Sequence, residues 1–268
     1  MSLFDEATAV LPSGAGTFAW TVPDGWQQGR GAWGGLVVAA LVRAIAAAEP
    51  DRARTVRTVS VQMMAPATVG AHVITTLPLR RGAAMSTWSA SVVDADGGAV
   101  AAMTAVAGSP RRPVAVVDDA AWGTVTAPAV PDAADVARVP SGFPLPNFTQ
   151  HLDMRPISGL PLGGRPAEST GWLRLVDPAR PSAAVLLALV DAWWPASLLL
   201  MAEVPRVATV NFTANLMVDP ATLAADQPLL AQGSVTAAAD GFVSEHRRLW
   251  SADGRLVVDN LQTVVVGS

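Results

Sequence analysis

The chain has 268 residues, of which 51% are hydrophobic and only 15% charged, with a formal net charge of −4. That apolar content supports a large core, long for one domain and comfortable for two small ones, and excludes disorder as the default state. The acidic balance argues against a nucleic-acid partner, and the absence of cysteine excludes disulfides and thiolate metal sites.

Every basic residue is Arg, whose planar fork suits phosphate-bearing ligands. The same bias also follows from a GC-rich genome. The start, Met1-Ser2-Leu3-Phe4-Asp5-Glu6, lacks the basic head and apolar centre of a signal peptide. The longest apolar run, near Asp191, is shorter than the ~20 residues of a membrane helix. A cytoplasmic protein without a membrane span is expected.

Residues 15–21 read as a short strand, followed by a glycine-rich loop from Pro23 to Gly31. Gly34-Gly35 opens an apolar helix, Leu36 to Ala48, closed by Glu49-Pro50. Only Arg43 is charged in it, so most of its sides should be buried. Strands are expected at about 55–64, 71–79, 86–94 and 99–107, with Asp94-Ala95-Asp96-Gly97-Gly98 as a hairpin turn. Residues 109–149 are punctuated by proline and read as a linker with one helical turn near Asp132 to Ala137.

The second part repeats this order. A strand at 169–175 precedes a helix at about 182–194, ended by Pro195. Strands then fall at about 207–218, 228–238, 242–251 and 256–266. Thr58-Val59-Ser60-Val61 matches Thr209-Val210-Asn211-Phe212, and Met103 to Gly108 matches Gln262 to Gly267. The repeat divides the chain into 1–108, a linker 109–149, and 150–268. In 207–218 the alternation puts Ala208, Val210, Phe212, Ala214 and Leu216 on a helix-facing side, and Thr209, Asn211, Thr213 and Asn215 on the other. The twin unit is the natural cover for that polar face.

One acid, Asp191, interrupts the apolar stretch from Ala183 to Ala202. A carboxylate buried there must be paired, raised in pKa, or both, and a helix C-terminus disfavours its charge. A raised carboxyl holding a water is a general base; a plain cap, or a pair with an Arg, is the bland alternative. One helix and two strands are expected to bring Asp191, Thr209 and Gln262 together. Gln262 is unusual in a Val/Leu-rich strand, and its amide needs partners, Asn260 or the backbone among them. Gly34 and Gly35 expose helix N–H groups that could meet a developing negative charge on a ligand oxygen, or simply allow close packing. Trp26, Trp33, Trp193 and Trp194 are candidates for an apolar ligand pocket or for core. His72, His151 and His246 lack ligand spacing, and the Asp118-Asp119 pair reads as solvated loop, so no metal site is expected. No G-x-S-x-G or phosphate-loop motif occurs.

At Arg30-Gly31-Ala32-Trp33-Gly34-Gly35-Leu36-Val37, at Asp191, at Ala208-Thr209-Val210 and at Val258 to Gln262, the chain resembles the TesB-like acyl-CoA thioesterases. It departs from the pattern at Asn211-Phe212-Thr213-Ala214 and at Thr263. The resemblance implies an α+β double hotdog, two repeats each with a long central helix wrapped by an antiparallel β-sheet. It implies hydrolysis of fatty acyl-CoA by water that Asp191, Thr209 and Gln262 position and activate, without a cofactor. Gly34, Gly35, Trp33 and Trp193 become candidate substrate-binding residues. Arg57, Arg80 and Arg81 are candidates for the CoA phosphates. A homo-oligomer, dimer or higher, is expected by analogy. The alternative is a double hotdog that binds acyl-CoA or lipid without catalysis.

Overall fold

A computed structural model describes residues 1–111, 125–140, 142–203 and 205–267. The Asp118-Asp119 pair and part of the expected linker lie outside the described residues. The helices are α1 (Leu3–Ala7), α2 (Gly34–Ala48) and α3 (Ala183–Ala192). The strands of the first part are β1 (Val10–Gly14), β2 (Thr17–Val22), β3 (Gln27–Gln28), β4 (Gly31–Ala32), β5 (Thr55–Met63), β6 (Gly70–Arg81), β7 (Met85–Asp94) and β8 (Ala99–Gly108). Those of the second are β9 (Leu152–Ser158), β10 (Glu168–Leu175), β11 (Arg206–Leu216), β12 (Leu229–Ala239), β13 (Phe242–Trp250) and β14 (Leu256–Gly267).

Twelve of these strands form one antiparallel sheet in the order β1-β2-β6-β7-β8-β5-β11-β14-β13-β12-β10-β9. The two parts meet at its centre, where β5 pairs with β11 from Thr58↔Asn215 to Gln62↔Asn211. The polar face of β11 is therefore not covered by the other part, as the alternation suggested. Each part instead satisfies the free edge of the other through backbone hydrogen bonds, the stronger demand for an exposed strand edge. Ser60 Oγ and Thr213 Oγ1 lie 3.3 Å apart across that seam.

Both long helices pack on the opposite face and against each other. In α2 the run Gly35 to Val42 is wholly buried. Ser182 caps α3 by accepting the Val185 N–H, and nine of its ten residues are buried. The helix stops at Ala192, where Trp193 turns extended (ψ 144°) two residues before Pro195, which could not continue the helix. The stretch Ala183–Leu200 is apolar and long enough to span a bilayer by composition, but it breaks after Ala192 and 83% of it is buried in the fold.

The sequence missed α1, β1, β9 and the small β3–β4 hairpin. These are short or carry proline, so periodicity had little to act on. The helical turn expected near Asp132 is a 3-10 turn, Ala133–Asp135.

Candidate active site

The trio is assembled by α3, β11 and β14. Gln262 Nε2 donates to Asp191 Oδ1 at 2.9 Å, and Thr209 Oγ1 donates to Gln262 Oε1 at 3.2 Å. The amide thus accepts from the hydroxyl and passes a donor to the carboxylate. Gln262 is fully buried, the Asp191 side chain is only 7% exposed, and Thr209 is half-buried.

Thr209 reaches this position through a β-bulge. Between Thr209 and Asn211 the register of β11 against β14 slips, leaving Val210 as the extra residue. One extra residue reverses the alternation. Thr209 therefore faces the helices with Phe212 and Ala214, not the outer surface with Asn211. Plain alternation had put it on the outer face, with Ala208 and Val210 inside. Instead Val207 packs on the core and Ala208 is exposed.

Asp191 also lies at the start of α2. That helix has no side-chain cap of its own. A Cβ built on Gly34 would come within 2.9 Å of Asp191 Oδ2. The carboxylate takes the place of a cap, where the α2 N–H groups and dipole favour negative charge. Gly35 lets the two helices touch, since a Cβ there would come within 2.7 Å of the Ala188 carbonyl.

The sequence reading missed Arg247 and Glu245. Arg247 Nη1 lies 3.7 Å from Asp191 Oδ1 and donates to the Trp193 carbonyl at 3.1 Å. Arg247 Nη2 pairs with Glu245 at 3.0 Å, and Glu245 accepts from Ser197 N at 2.9 Å and Oγ at 2.8 Å. All of this is buried. The signal was present in β13: Glu245 and Arg247 share the phase of Val243 and Leu249, so period-two alternation puts both charges inside.

Burial pushes the Asp191 carboxyl above its ordinary range, the largest influence on it. The Arg247 charge, the Gln262 amide, the Gly35 N–H and the Trp33 indole act in the opposite sense. The indole is close enough to favour the carboxylate but outside hydrogen-bond geometry, since Trp33 Nε1 has no partner.

Family-level comparison matches residues 22–108 to the acyl-CoA thioesterase N-terminal domain and residues 115–266 to the acyl-CoA thioesterase C-terminal domain. The chain belongs to the acyl-CoA thioesterase family. A hotdog-fold protein of unknown function from Alicyclobacillus acidocaldarius is 27% identical, with 100% of this chain and 99% of that one covered and a TM-score of 0.88. An acyl-CoA thioesterase II from Mycobacterium marinum superposes with a TM-score of 0.78 at 17% identity, covering 98% of each chain. A TesB protein from Mycobacterium avium subs. paratuberculosis gives 0.80 at 14% identity, covering 99% of this chain and 98% of that one. These likenesses identify the fold as hotdog. No curated protein matches.

The other residues singled out in this thioesterase-family chain are spread over several places. Trp33 lies at the start of α2, fully buried and stacked on Phe148. Trp193 points away toward β10, where it donates to Ser169 Oγ at 3.1 Å and packs over Gly171. Trp194 donates to the Gly159 carbonyl, and Trp26 stacks on His151. Arg57, Arg80 and Arg81 do not meet the trio. Arg81 is level with Ser86, Ala107 and Val56 across the strands, whereas Thr209 lies past Met63, at the other end of β5. A cavity of about 490 Å³ runs along Arg138 to Met154 and is lined by none of the trio.

Proposed function

We propose that the chain hydrolyses acyl-CoA thioesters, with Asp191 as the base for the attacking water. The observation that carries this reading is the 2.9 Å hydrogen bond from Gln262 to Asp191 in an interior that raises the carboxyl's proton affinity. The amide fixes one carboxylate oxygen, and the raised basicity suits the carboxylate to take a proton from water. A cap for α2 alone would need neither Gln262 nor the inward-turned Thr209.

In this reading, water gives a proton to Asp191 as its oxygen attacks the carbonyl carbon. The tetrahedral intermediate expels the CoA thiolate, which takes that proton. The products are a fatty acid and CoA. Thr209 and Gln262 orient the carboxylate and the water. Gly34 and Gly35 sit where the carbonyl would be received, and Trp33 where the acyl group would begin; Trp193 lies further back and would act through packing. The reaction as written calls for no metal or redox cofactor.

Two hotdog units, 1–108 and 150–268 joined by 109–149, are the organisation we favour, with α2 and α3 as their central helices. The two family matches and the single seam between β5 and β11 support it. A cytoplasmic homo-oligomer acting in fatty acid metabolism completes the proposal.

The test is thiol release from a panel of acyl-CoAs by wild type and Asp191→Asn. The expected loss in the variant is about 10²–10⁴-fold. Binding without release by wild type would instead identify a non-catalytic acyl-CoA binder. Release untouched by Asp191→Asn would retire the base and keep the enzyme.

A further inference from the structure

Trp33 stands at the N-cap of α2 with its ring fully buried. Its backbone N–H donates to the Trp26 carbonyl at 2.9 Å, across the β3–β4 hairpin. Its ring stacks on Phe148, with centroids 4.9 Å apart and planes 10° from parallel. The residue is therefore held from both sides. The indole edge that carries nitrogen lies over the helix start: a Cβ on Gly35 would come within 2.5 Å of Trp33 Cε2, the carbon bonded to Nε1. One residue earlier is Gly34, against Asp191 Oδ2.

This nitrogen is buried; it acts on Asp191 only from outside hydrogen-bond geometry and has no other partner among the described residues. Trp20, Trp88, Trp172, Trp193 and Trp194 all donate to protein acceptors. Trp250 also lacks a partner, but it sits in a separate small cluster with Trp172 and Leu230. A buried donor left unpaired is costly and calls for an explanation. An indole N–H can only donate, so it cannot serve as a base; it can hold an acceptor or a developing negative charge.

We propose that the Trp33 indole N–H receives the thioester carbonyl oxygen and, with the N-terminal amides of α2, stabilises the oxyanion that forms there. The inference rests on the hydrolase reading above. As the water oxygen bonds to the carbonyl carbon, the π pair moves onto the carbonyl oxygen, where the indole N–H holds it. When the pair returns, the C–S bond breaks. The same N–H directed at the water would withdraw the lone pair that attacks, which is why the carbonyl is its partner.

Trp33→Phe keeps an aromatic ring against Phe148 and removes the donor. It should lower kcat about 10²–10³-fold, the usual effect of deleting one oxyanion donor. KM should change little, and so should affinity for an S-alkyl-CoA thioether, which has no carbonyl. A second measurement needs only the wild type. In the ¹⁵N-indole spectrum one N–H signal should move downfield with an S-(2-oxoalkyl)-CoA ketone and stay put with the thioether. Wild-type kcat in Trp33→Phe, loss of thioether affinity in step with kcat, or no indole signal that distinguishes the two ligands would each overturn the inference. An active wild type with an unaffected Trp33→Phe overturns this inference alone; a wild type that releases no thiol overturns the hydrolase reading with it.

Discussion

Asp191 lies in the last turn of α3 and against the first turn of α2, so two helix dipoles act on one carboxylate in opposite senses. Beside it Glu245 and Arg247 form a buried pair, which leaves two acids for one guanidinium. Neutralising Glu245 frees the whole Arg247 charge for Asp191. If a deprotonated Asp191 is the base, kcat/KM falls as pH drops through its pKa, and burial sets that midpoint above the ordinary carboxylate range. In Glu245→Gln the acid limb should move to lower pH, which a pH–rate profile checks; an unmoved limb contradicts the coupling. The same variant should cost about 3 kcal/mol of stability by breaking a buried pair. Asp191 stood out in the sequence because a single acid in an apolar run must find a cap, a pair or a raised pKa to be tolerated there. Arg247 and Glu245 passed unnoticed because charged residues in a strand are read as solvent-facing by default. The unpartnered nitrogen of Trp33 could not be read at all, since a hydrogen bond that is missing exists only in three dimensions.

The bulge at Val210 is the element-level device that makes the site. Without it Thr209 would face away from Gln262. Deleting Val210 should restore plain alternation and turn Thr209 outward, and Thr209→Val removes the hydroxyl directly. Both should lower kcat, Thr209→Val by about fivefold if the lost hydrogen bond is worth about 1 kcal/mol in the transition state, while Thr209→Ser should retain most activity. Steady-state kinetics of the three variants checks this ordering, and equal rates for Val and Ser would contradict it. β5 has its own bulge at Arg57. Counting from the two bulges, Thr209 corresponds to Val56, and Gln262, opposite Phe212, corresponds to Ala105, opposite Val59. The match by residue identity, Thr58 with Thr209 and Met103 with Gln262, was two residues out of step. Most strands and both long helices were readable from periodicity, to within a few residues at their ends. The bulges were not, because an inserted residue has no compositional mark. At the bulge-matched positions the first part has buried Val56 and Ala105, so Thr209 and Gln262 have no polar counterparts there.

At the scale of the molecule, one sheet runs through both parts, and α2 touches α3 where the site forms. The two parts share backbone hydrogen bonds along β5 and β11, so neither can open without exposing the edge of the other. Calorimetry should show a single cooperative transition; two resolved transitions would contradict this coupling. The seam was not visible in the sequence, since edge pairing depends on backbone groups that every residue carries. How far the candidate CoA-binding arginines lie from Thr209 is set by strand register, not by composition. The central claim is that water attacks the thioester directly, with Asp191 as base, and it is tested by one turnover in H₂¹⁸O with enzyme in excess over acyl-CoA. Direct attack predicts that the first fatty acid released carries one ¹⁸O and that the peptide containing Asp191 stays unlabelled. An unlabelled first product with ¹⁸O in Asp191 would mean that the carboxylate itself attacked, and would contradict the account.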